Sequence, residues 1–153
     1  MNRNLLHSDP QIATRQRWMG VLARAGTGLA AYESALKETE YSLIRAPEIG
    51  MTLVRGRMGG TGSPFNLGEM SVTRCVVRLA DGCTGYSYVA GRDKQHAELA
   101  ALADAHLQGA EHAHWLSRLI EPLADLQQRQ QAASAAETAT TQVEFFTLVR
   151  GED

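Results

Sequence analysis

A glycine-rich segment bordered by arginines is the part of the sequence best suited to chemistry. Residues 58–68 contain four glycines and one proline, a composition typical of backbone that turns sharply or approaches another molecule closely. The backbone N–H groups of Gly59, Gly60 and Gly62 could form a nest that binds phosphate. The segment lacks the Gly-Lys-Ser/Thr ending of a P-loop and the third glycine of a dinucleotide fingerprint. An irregular connection between two hairpins therefore remains the alternative.

Four arginines near this segment are the second candidate for anion binding. Side chains alternate along a strand, so Arg55 and Arg57 share one face of their strand, as Arg74 and Arg78 share one face of theirs. Suitable pairing of the strands would gather the four guanidinium groups into one cluster. Such a cluster would bind phosphate or phosphonate, or dock acidic residues of another subunit. The alternative is a set of solvated arginines on the open face of a half-buried sheet.

The sequence predicts neither a catalytic set nor a metal site. Its five histidines have none of the spacings of a zinc motif. His7 belongs to residues 1–9, which we expect to be disordered. The other histidines are expected on helix surfaces: His96, His106, His112 and His114. Acid–base pairs such as Asp93 with Glu98 are not brought within reach of each other by any sequence pattern, and Asp93 is already explained as a helix N-cap.

The two cysteines, Cys75 and Cys83, are predicted to stay reduced. A predicted hairpin around Asp81-Gly82 places their side chains on opposite faces of a sheet, which argues against a disulfide between them. Cys75 would lie on the apolar face, where a thiol usually serves as inert packing. Free thiols are typical of a reducing compartment.

The composition fits one domain covering residues 1–153. Hydrophobic residues make up 44% of the chain and charged residues 21%, which allows a packed core. The net charge of −2 and the pI near 6.2 exclude bulk attraction to nucleic acid or to an anionic membrane. The start does not resemble a secretory signal, and no run approaches the ~20 apolar residues of a membrane span. We therefore expect a cytoplasmic protein.

The elements that must position these residues follow from hydrophobic periodicity and turn signals. Proline after Asp9 starts a helix that runs to about residue 25, and a second helix follows a glycine break. Asp93 caps a third helix that runs to about residue 108, and a fourth covers residues 110–133. Strands are predicted from β-branched runs and turn residues at 41–46, 51–57, 71–80, 83–90 and 143–149.

Two turns organise the predicted sheet. Residues 47–50 form the loop of a first hairpin, and Asp81-Gly82 forms a type I′ turn in a second. This second turn would set Leu79 opposite Thr84 and, further along, Val77 opposite Tyr86 and Cys75 opposite Tyr88. The predicted class is α+β, with an N-terminal helical hairpin, an antiparallel sheet of two consecutive hairpins, C-terminal helices and a final strand. Residues 134–153 are expected to be a connector and that terminal strand, which would complete this sheet or join a partner's.

Several long and unusual strings in the sequence carry a family resemblance. They are RQRWMGVLARA at 15–25, IRAPEIG at 44–50, VRGRMGGTG at 54–62, PFNLGEMSVTRCV at 64–76 and GRD at 91–93. With these strings the chain resembles the PhnG family, a subunit of the bacterial carbon–phosphorus lyase machinery. The resemblance covers roughly residues 12–108 and is weaker in the C-terminal third.

The resemblance implies a part in phosphonate catabolism as one subunit of a hetero-oligomer. The family works with the subunits PhnH, PhnI and PhnL as an alpha-D-ribose 1-methylphosphonate 5-triphosphate synthase, a transferase that displaces adenine from MgATP with methylphosphonate. It also belongs to a larger core assembly with PhnJ. MgATP and methylphosphonate would be substrates of the complex. This chain would bind no cofactor and act as a structural or accessory subunit, with self-association left open.

The resemblance leaves two uses for Arg55, Arg57, Arg74 and Arg78. They could neutralise phosphonate or triphosphate oxygens, or they could form salt bridges at a subunit interface. The interface is favoured because the sequence offers no companion acid to protonate adenine. The alternative function is a stand-alone anion-binding or phosphate-binding module, or a small enzyme, that uses the glycine-rich segment.

Overall fold

The computed structural model describes residues 10–57, 62 and 64–150, with the backbone alone described for Arg57, Asn66 and residues 141–150. Helices flank a central run of strands, which confirms the α+β class. The predicted disorder of residues 1–9 lies outside the described residues. In chain order the elements are α1 (Pro10–Ala23), a 3₁₀ helix (Gly26–Tyr32), α2 (Glu33–Leu36), β1 (Tyr41–Arg57), β2 (Pro64–Leu79), β3 (Thr84–Ala90), α3 (Lys94–Leu107), α4 (His112–Trp115), a π-helical turn (Leu116–Ile120) and α5 (Glu121–Arg150).

The described strands form one antiparallel sheet in the order β1-β2-β3. Helix α3 packs against all three strands, and most closely against β2 and β3. Alternation along β2 and β3 turns Cys75, Val77, Ser87 and Val89 toward this helix, and each of them is buried. We call the opposite surface of the sheet the open face.

Close packing of α3 on the sheet depends on Gly85 in β3. A Cβ atom at this position would overlap the carbonyl oxygen of Ala101 and lie 2.7 Å from the backbone nitrogen of Ala105. Small side chains on the helix and a missing side chain on the strand therefore let the two backbones approach each other. Asp93 caps the start of α3, as predicted, because its carboxylate accepts a hydrogen bond from the backbone N–H of His96.

The remaining helices complete the core around α3. Leu29 of the 3₁₀ helix and Leu36 of α2 are fully buried, as are Leu119 and Ile120 of the π-helical turn. Together with Trp18, Val21 and Leu22 of α1 they belong to the same apolar cluster as the leucines of α3. The N-terminal helices and the α4–α5 region thus pack chiefly on α3, and α1 also contacts β3.

The predicted hairpin loop at residues 47–50 is wrong, because these residues lie inside one continuous strand. Glu48 pairs with Arg74 and Gly50 with Val72, so β1 runs for 17 residues without a turn. A register shift between Arg45 and Glu48 accommodates Pro47. Proline is tolerated at such a bulge in an edge strand because no ladder hydrogen bond is required of it there. Two predicted strands are therefore one, and it pairs with β2 beyond the glycine-rich segment.

The predicted register of β2 and β3 is wrong by one residue. A type I′ turn requires positive φ at both Asp81 and Gly82, but of the two only Gly82 has it, at +94°. The N–H of Gly82 donates to the carbonyl of Leu79, whose own N–H donates to Cys83. This longer turn sets Val76, not Val77, opposite Tyr86. The tyrosines of β3 therefore lie on the open face.

The predicted terminal strand at residues 143–149 is also wrong. Helix α5 begins at Glu121, inside the predicted fourth helix, and continues to Arg150 through the predicted connector. Its middle is rich in alanine and glutamine, which are strong helix formers. Adding residues to an established helix costs little, whereas an isolated strand needs a neighbour to pair with.

Candidate functional site

The structure does not gather the four candidate arginines into a cluster. Arg55 lies opposite Asn66 and Arg57 opposite Pro64, whereas Arg74 lies opposite Glu48 and Arg78 opposite Ser42. Eight positions of extended strand separate Asn66 from Arg74, or about 26 Å at the usual rise per residue. Arg55 also lies on the face of the sheet opposite to Arg74, because it is seven positions along β1 from Glu48, the partner of Arg74. The arginines therefore form two separate pairs, and an anion-binding or interface role for either pair stays a prediction.

The pair on the open face has aromatic neighbours. Arg74 is opposite Tyr88 and Arg78 is opposite Thr84 in the register of β2 with β3, while Tyr86 lies between them opposite Val76. Both tyrosines are exposed. A shallow hollow of about 580 Å³ runs across this region, lined chiefly by Met19, Ile44, Arg45, Arg74, Val76, Tyr86 and Tyr88.

The open face continues along the two-stranded part of the sheet toward the glycine-rich segment. Beyond Val72, β2 no longer pairs with β3 and only β1 accompanies it. We call this two-stranded part the arm (residues 51–57 and 64–71). A Cβ atom on Gly56 would lie 2.9 Å from Cδ1 of Leu67 and 3.5 Å from Cζ of Phe65. These two apolar side chains therefore lie across the strand backbone on the open face.

The glycine-rich segment itself is described only in part. Of the three glycines proposed for a nest, Gly62 is among the described residues, where it is half-buried. Gly59 and Gly60 lie outside the described residues. The proposed phosphate nest therefore stays a prediction.

A fully buried carboxylate that the sequence analysis did not single out lies on α3. Asp104 accepts hydrogen bonds from Nε and Nη2 of Arg15, Nε1 of Trp18 and the backbone N–H of Tyr86, at 2.9–3.3 Å. Nε2 of Gln108 also lies within 3.3 Å of it. The hydrogen bond with this carboxylate raises the pKa of the Arg15 guanidinium. Because its oxygens are occupied by the protein's own donors, Asp104 serves as a structural anchor. An aspartate within the apolar run of α3 was the signal that could have revealed it.

Two histidines predicted on helix surfaces are buried, so that prediction is wrong for them. Nε2 of His96 lies 2.8 Å from the carbonyl oxygen of Leu22, and Nε2 of His106 lies 3.0 Å from that of Leu36. Each imidazole thus ties the end of an N-terminal helix to α3. Within the described residues, no group of three or more His, Cys, Asp or Glu side chains is arranged to hold a metal ion.

Both cysteines are free, as predicted, although the geometric reason differs. Cys83 hydrogen-bonds to Leu79 across the turn, and Cys75 lies four positions further along β2. That spacing corresponds to about 13 Å of extended strand, too far for a disulfide. Burial raises the pKa of the Cys75 thiol to about 11, which makes it a poor nucleophile near neutral pH.

Comparison with known proteins assigns the chain to a family. The profile of the family described as "Phosphonate metabolism protein PhnG" matches residues 13–151. The chain is 43% identical over 147 residues to a Rhizobium meliloti (strain 1021) protein described as "Alpha-D-ribose 1-methylphosphonate 5-triphosphate synthase subunit PhnG". This match covers 95% of the chain and 94% of that relative. No helix among the described residues is long and apolar enough to cross a membrane. The resemblance inferred from the sequence is thus confirmed, and the chain belongs to the PhnG family of phosphonate metabolism proteins.

Proposed function

We propose that the protein is a subunit of an alpha-D-ribose 1-methylphosphonate 5-triphosphate synthase and supplies binding surface instead of catalytic groups. The observation that carries this proposal is the 43% identity to the Rhizobium meliloti subunit across nearly the full length of both chains. MgATP and methylphosphonate are the substrates of the complex, which displaces adenine from the ribose. The partners are PhnH, PhnI and PhnL, within a larger assembly that includes PhnJ.

The chemistry of adenine displacement explains why partners are needed. The leaving adenine must be protonated, and the phosphonate and triphosphate oxygens must be neutralised. Among the described side chains, the buried acid Asp104 is held by Arg15 and Trp18, and the buried imidazoles of His96 and His106 contact backbone carbonyls. These groups stabilise the fold. In this proposal the reacting acid and base come from other subunits, and this chain contributes contacts.

A cytoplasmic location belongs to the same proposal. Cys75 and Cys83 are both free thiols, and free thiols persist where the surroundings are reducing. MgATP, the substrate of the proposed complex, is also a cytoplasmic metabolite.

The test compares the purified chain with the assembled complex. The chain is expressed alone and together with PhnH, PhnI and PhnL, and adenine release from MgATP in the presence of methylphosphonate is followed by chromatography. We expect release from the full set and none from the chain alone. We also expect the chain to co-purify with its partners in a fixed ratio.

Two results would overturn the proposal. One is adenine release by the isolated chain at a rate comparable with that of the full set. The other is full activity of PhnH, PhnI and PhnL in the absence of this chain. Calorimetric titration of the isolated chain with ATP and with methylphosphonate addresses the alternative of a stand-alone anion-binding module, which requires saturable binding that Arg74→Ala abolishes.

A further inference from the structure

We propose that the open face of the sheet is the surface by which this chain docks onto another subunit, and that this subunit presents apolar side chains bordered by carboxylates. The inference rests on the proposed function, since it names the surface that a complex-forming subunit would use. It is carried by the exposure, chemistry and charge of the residues along that face.

Large apolar and aromatic side chains are exposed on the open face at the arm and on β3, and Met51 and Leu53 are exposed on the opposite face of the arm. Phe65, Leu67 and Met70 lie on the arm, and Tyr86 and Tyr88 lie on β3, with exposed fractions between 40% and 62%. Single exposed apolar residues are common on protein surfaces. A row of them on one face marks an interaction site. Tyrosine, phenylalanine, methionine and arginine are also the residues enriched in interfaces between proteins.

The charges on the open face predict the charge of its partner. Arg45 lies 4.0 Å from Glu48, so these two side chains offset each other. Arg74 and Arg78 have no carboxylate within ion-pair distance among the described side chains. Two guanidinium groups beside two tyrosines therefore remain available to a partner. Carboxylates match the guanidinium fork and can accept two hydrogen bonds from each.

A second copy of this chain does not fit the open face. A two-fold dimer would place the same surface on both sides of the interface. Arg74 and Arg78 of one copy would then face the same positive surface of the other, and juxtaposed like charges disfavour association. A nucleic acid fits poorly as well, because the chain has a net charge of −2 and a pI near 6.2. A different protein that presents acidic side chains avoids the repulsion between like charges, and its binding does not require a net positive charge on this chain.

The arm gives a further reason to expect an occupant. Among the residues that the structure describes, it consists of β1 and β2 without a further strand, beyond the part of the sheet that β3 completes and α3 covers. A two-stranded ribbon without a third strand or a packed helix is marginally stable in water. Burial of Phe65 and Leu67 against a partner would provide the apolar contact that the described residues of this chain do not supply.

The experiment measures binding of the chain to its partners with substitutions on either face of the sheet. Leu67→Asp and Arg74→Glu change the open face. Met51→Asp changes the opposite face of the same arm at a residue with the same 62% exposure as Leu67. Arg129→Glu, on the exposed surface of α5, is the matched charge control. Each full-length variant is titrated onto co-expressed PhnH, PhnI, PhnJ and PhnL assembled without this chain, and the Kd is determined.

We expect Leu67→Asp and Arg74→Glu each to weaken binding at least tenfold, with both controls within twofold of the unmodified chain. The effect of Arg74→Glu is expected to shrink as the salt concentration rises. Circular dichroism melts show whether each variant is folded. Tyr88→Ala, a milder change on the same face, replaces any variant that is not folded. We expect it also to weaken binding at least tenfold.

The outcomes separate this inference from the proposed function. If the unmodified chain does not bind the partner subunits, the proposed function is overturned and the inference falls with it. If the unmodified chain binds and folded open-face variants bind equally well, the inference alone is overturned. It is overturned as well if Met51→Asp weakens binding as much as Leu67→Asp. Two further results would overturn the inference. One is self-association of the isolated chain that Arg74→Glu abolishes. The other is retention of a mixed-sequence RNA on a filter by the chain that Arg74→Glu abolishes.

Discussion

Arg15 and Asp104 lie 89 positions apart in the chain and form an ion pair in which Nη2 and Oδ2 are 2.9 Å apart. Asp104 is fully buried, whereas about a third of the Arg15 side chain is exposed. The same carboxylate accepts hydrogen bonds from Trp18 on α1 and from the backbone of Tyr86 on β3. One side chain of α3 therefore connects the first helix, the central helix and the edge strand β3.

We expect Asp104→Ala to lower the free energy of unfolding by about 3 kcal/mol, since the buried N–H groups of Trp18 and Tyr86 would lose their acceptor. Urea unfolding followed by circular dichroism measures the change. Asp125→Ala, on the exposed surface of α5, is the control and should change the same free energy by less than ~0.5 kcal/mol. Equal effects of the two substitutions would show that Asp104 is not an anchor.

Gly85 is the position at which the close approach of strand and helix can be tested. Gly85→Ala should destabilise the fold by at least ~2 kcal/mol, because the new methyl group would displace α3 at Ala101 and Ala105. Gly109→Ala is the matched control, since a Cβ atom there would meet its nearest neighbour at 3.4 Å. Thermal melts of both variants give the comparison. A melting temperature of Gly85→Ala as high as that of Gly109→Ala would contradict the proposed contact.

The buried imidazole of His106 is expected to contribute through its hydrogen bond to the carbonyl of Leu36. His106→Phe keeps a ring against Trp115, whose ring centroid is 5.2 Å from that of His106, but removes the polar contact. The expected loss is ~1–2 kcal/mol in the free energy of unfolding, measured by urea titration. His114→Phe, at an exposed position of α4, should leave the stability nearly unchanged. The interpretation fails if the His114 substitution is the more damaging of the two.

Cys75 predicts how stability depends on alkaline pH. Burial raises the pKa of its thiol from the ordinary 9.0 to about 11. The unfolded chain therefore releases this proton at a lower pH than the folded chain does. The resulting contribution to stability is fully present below pH 9 and is lost as the pH rises toward 11. The free energy of unfolding should thus fall less steeply between these pH values in Cys75→Ala than in the unmodified protein. Identical slopes would contradict a buried, protonated thiol.

Local patterns were sufficient where neighbouring residues decide the structure. The α+β class and the N-cap at Asp93 could be predicted, since each depends on a periodicity or on the backbone chemistry of one or two residues. Arg74 and Arg78 were likewise predicted to share a face, because alternation along a strand requires it. The family strings pointed to phosphonate metabolism for the same reason, since they are read directly from the residue order.

Predictions failed where the outcome depended on residues far apart in the chain. Pro47 and Gly50 are typical of a turn, yet pairing with β2 keeps them inside β1. The register across Asp81-Gly82 depended on a backbone angle at Asp81 that residue type alone does not specify. A shift of one residue exchanges the two faces of a strand, and this moved Tyr86 and Tyr88 from the predicted core to the open face.

The sequence by itself determined the helices and strands in outline, the family and the set of candidate arginines. Only the tertiary structure decided that Arg55 and Arg74 are on opposite faces of the sheet, that Asp104 is a buried anchor and that Phe65 and Leu67 are exposed. The physical reason is that propensity and periodicity act over a few neighbouring residues. Burial, register and the partners of a charge are set by contacts between distant segments, which the order of residues does not state.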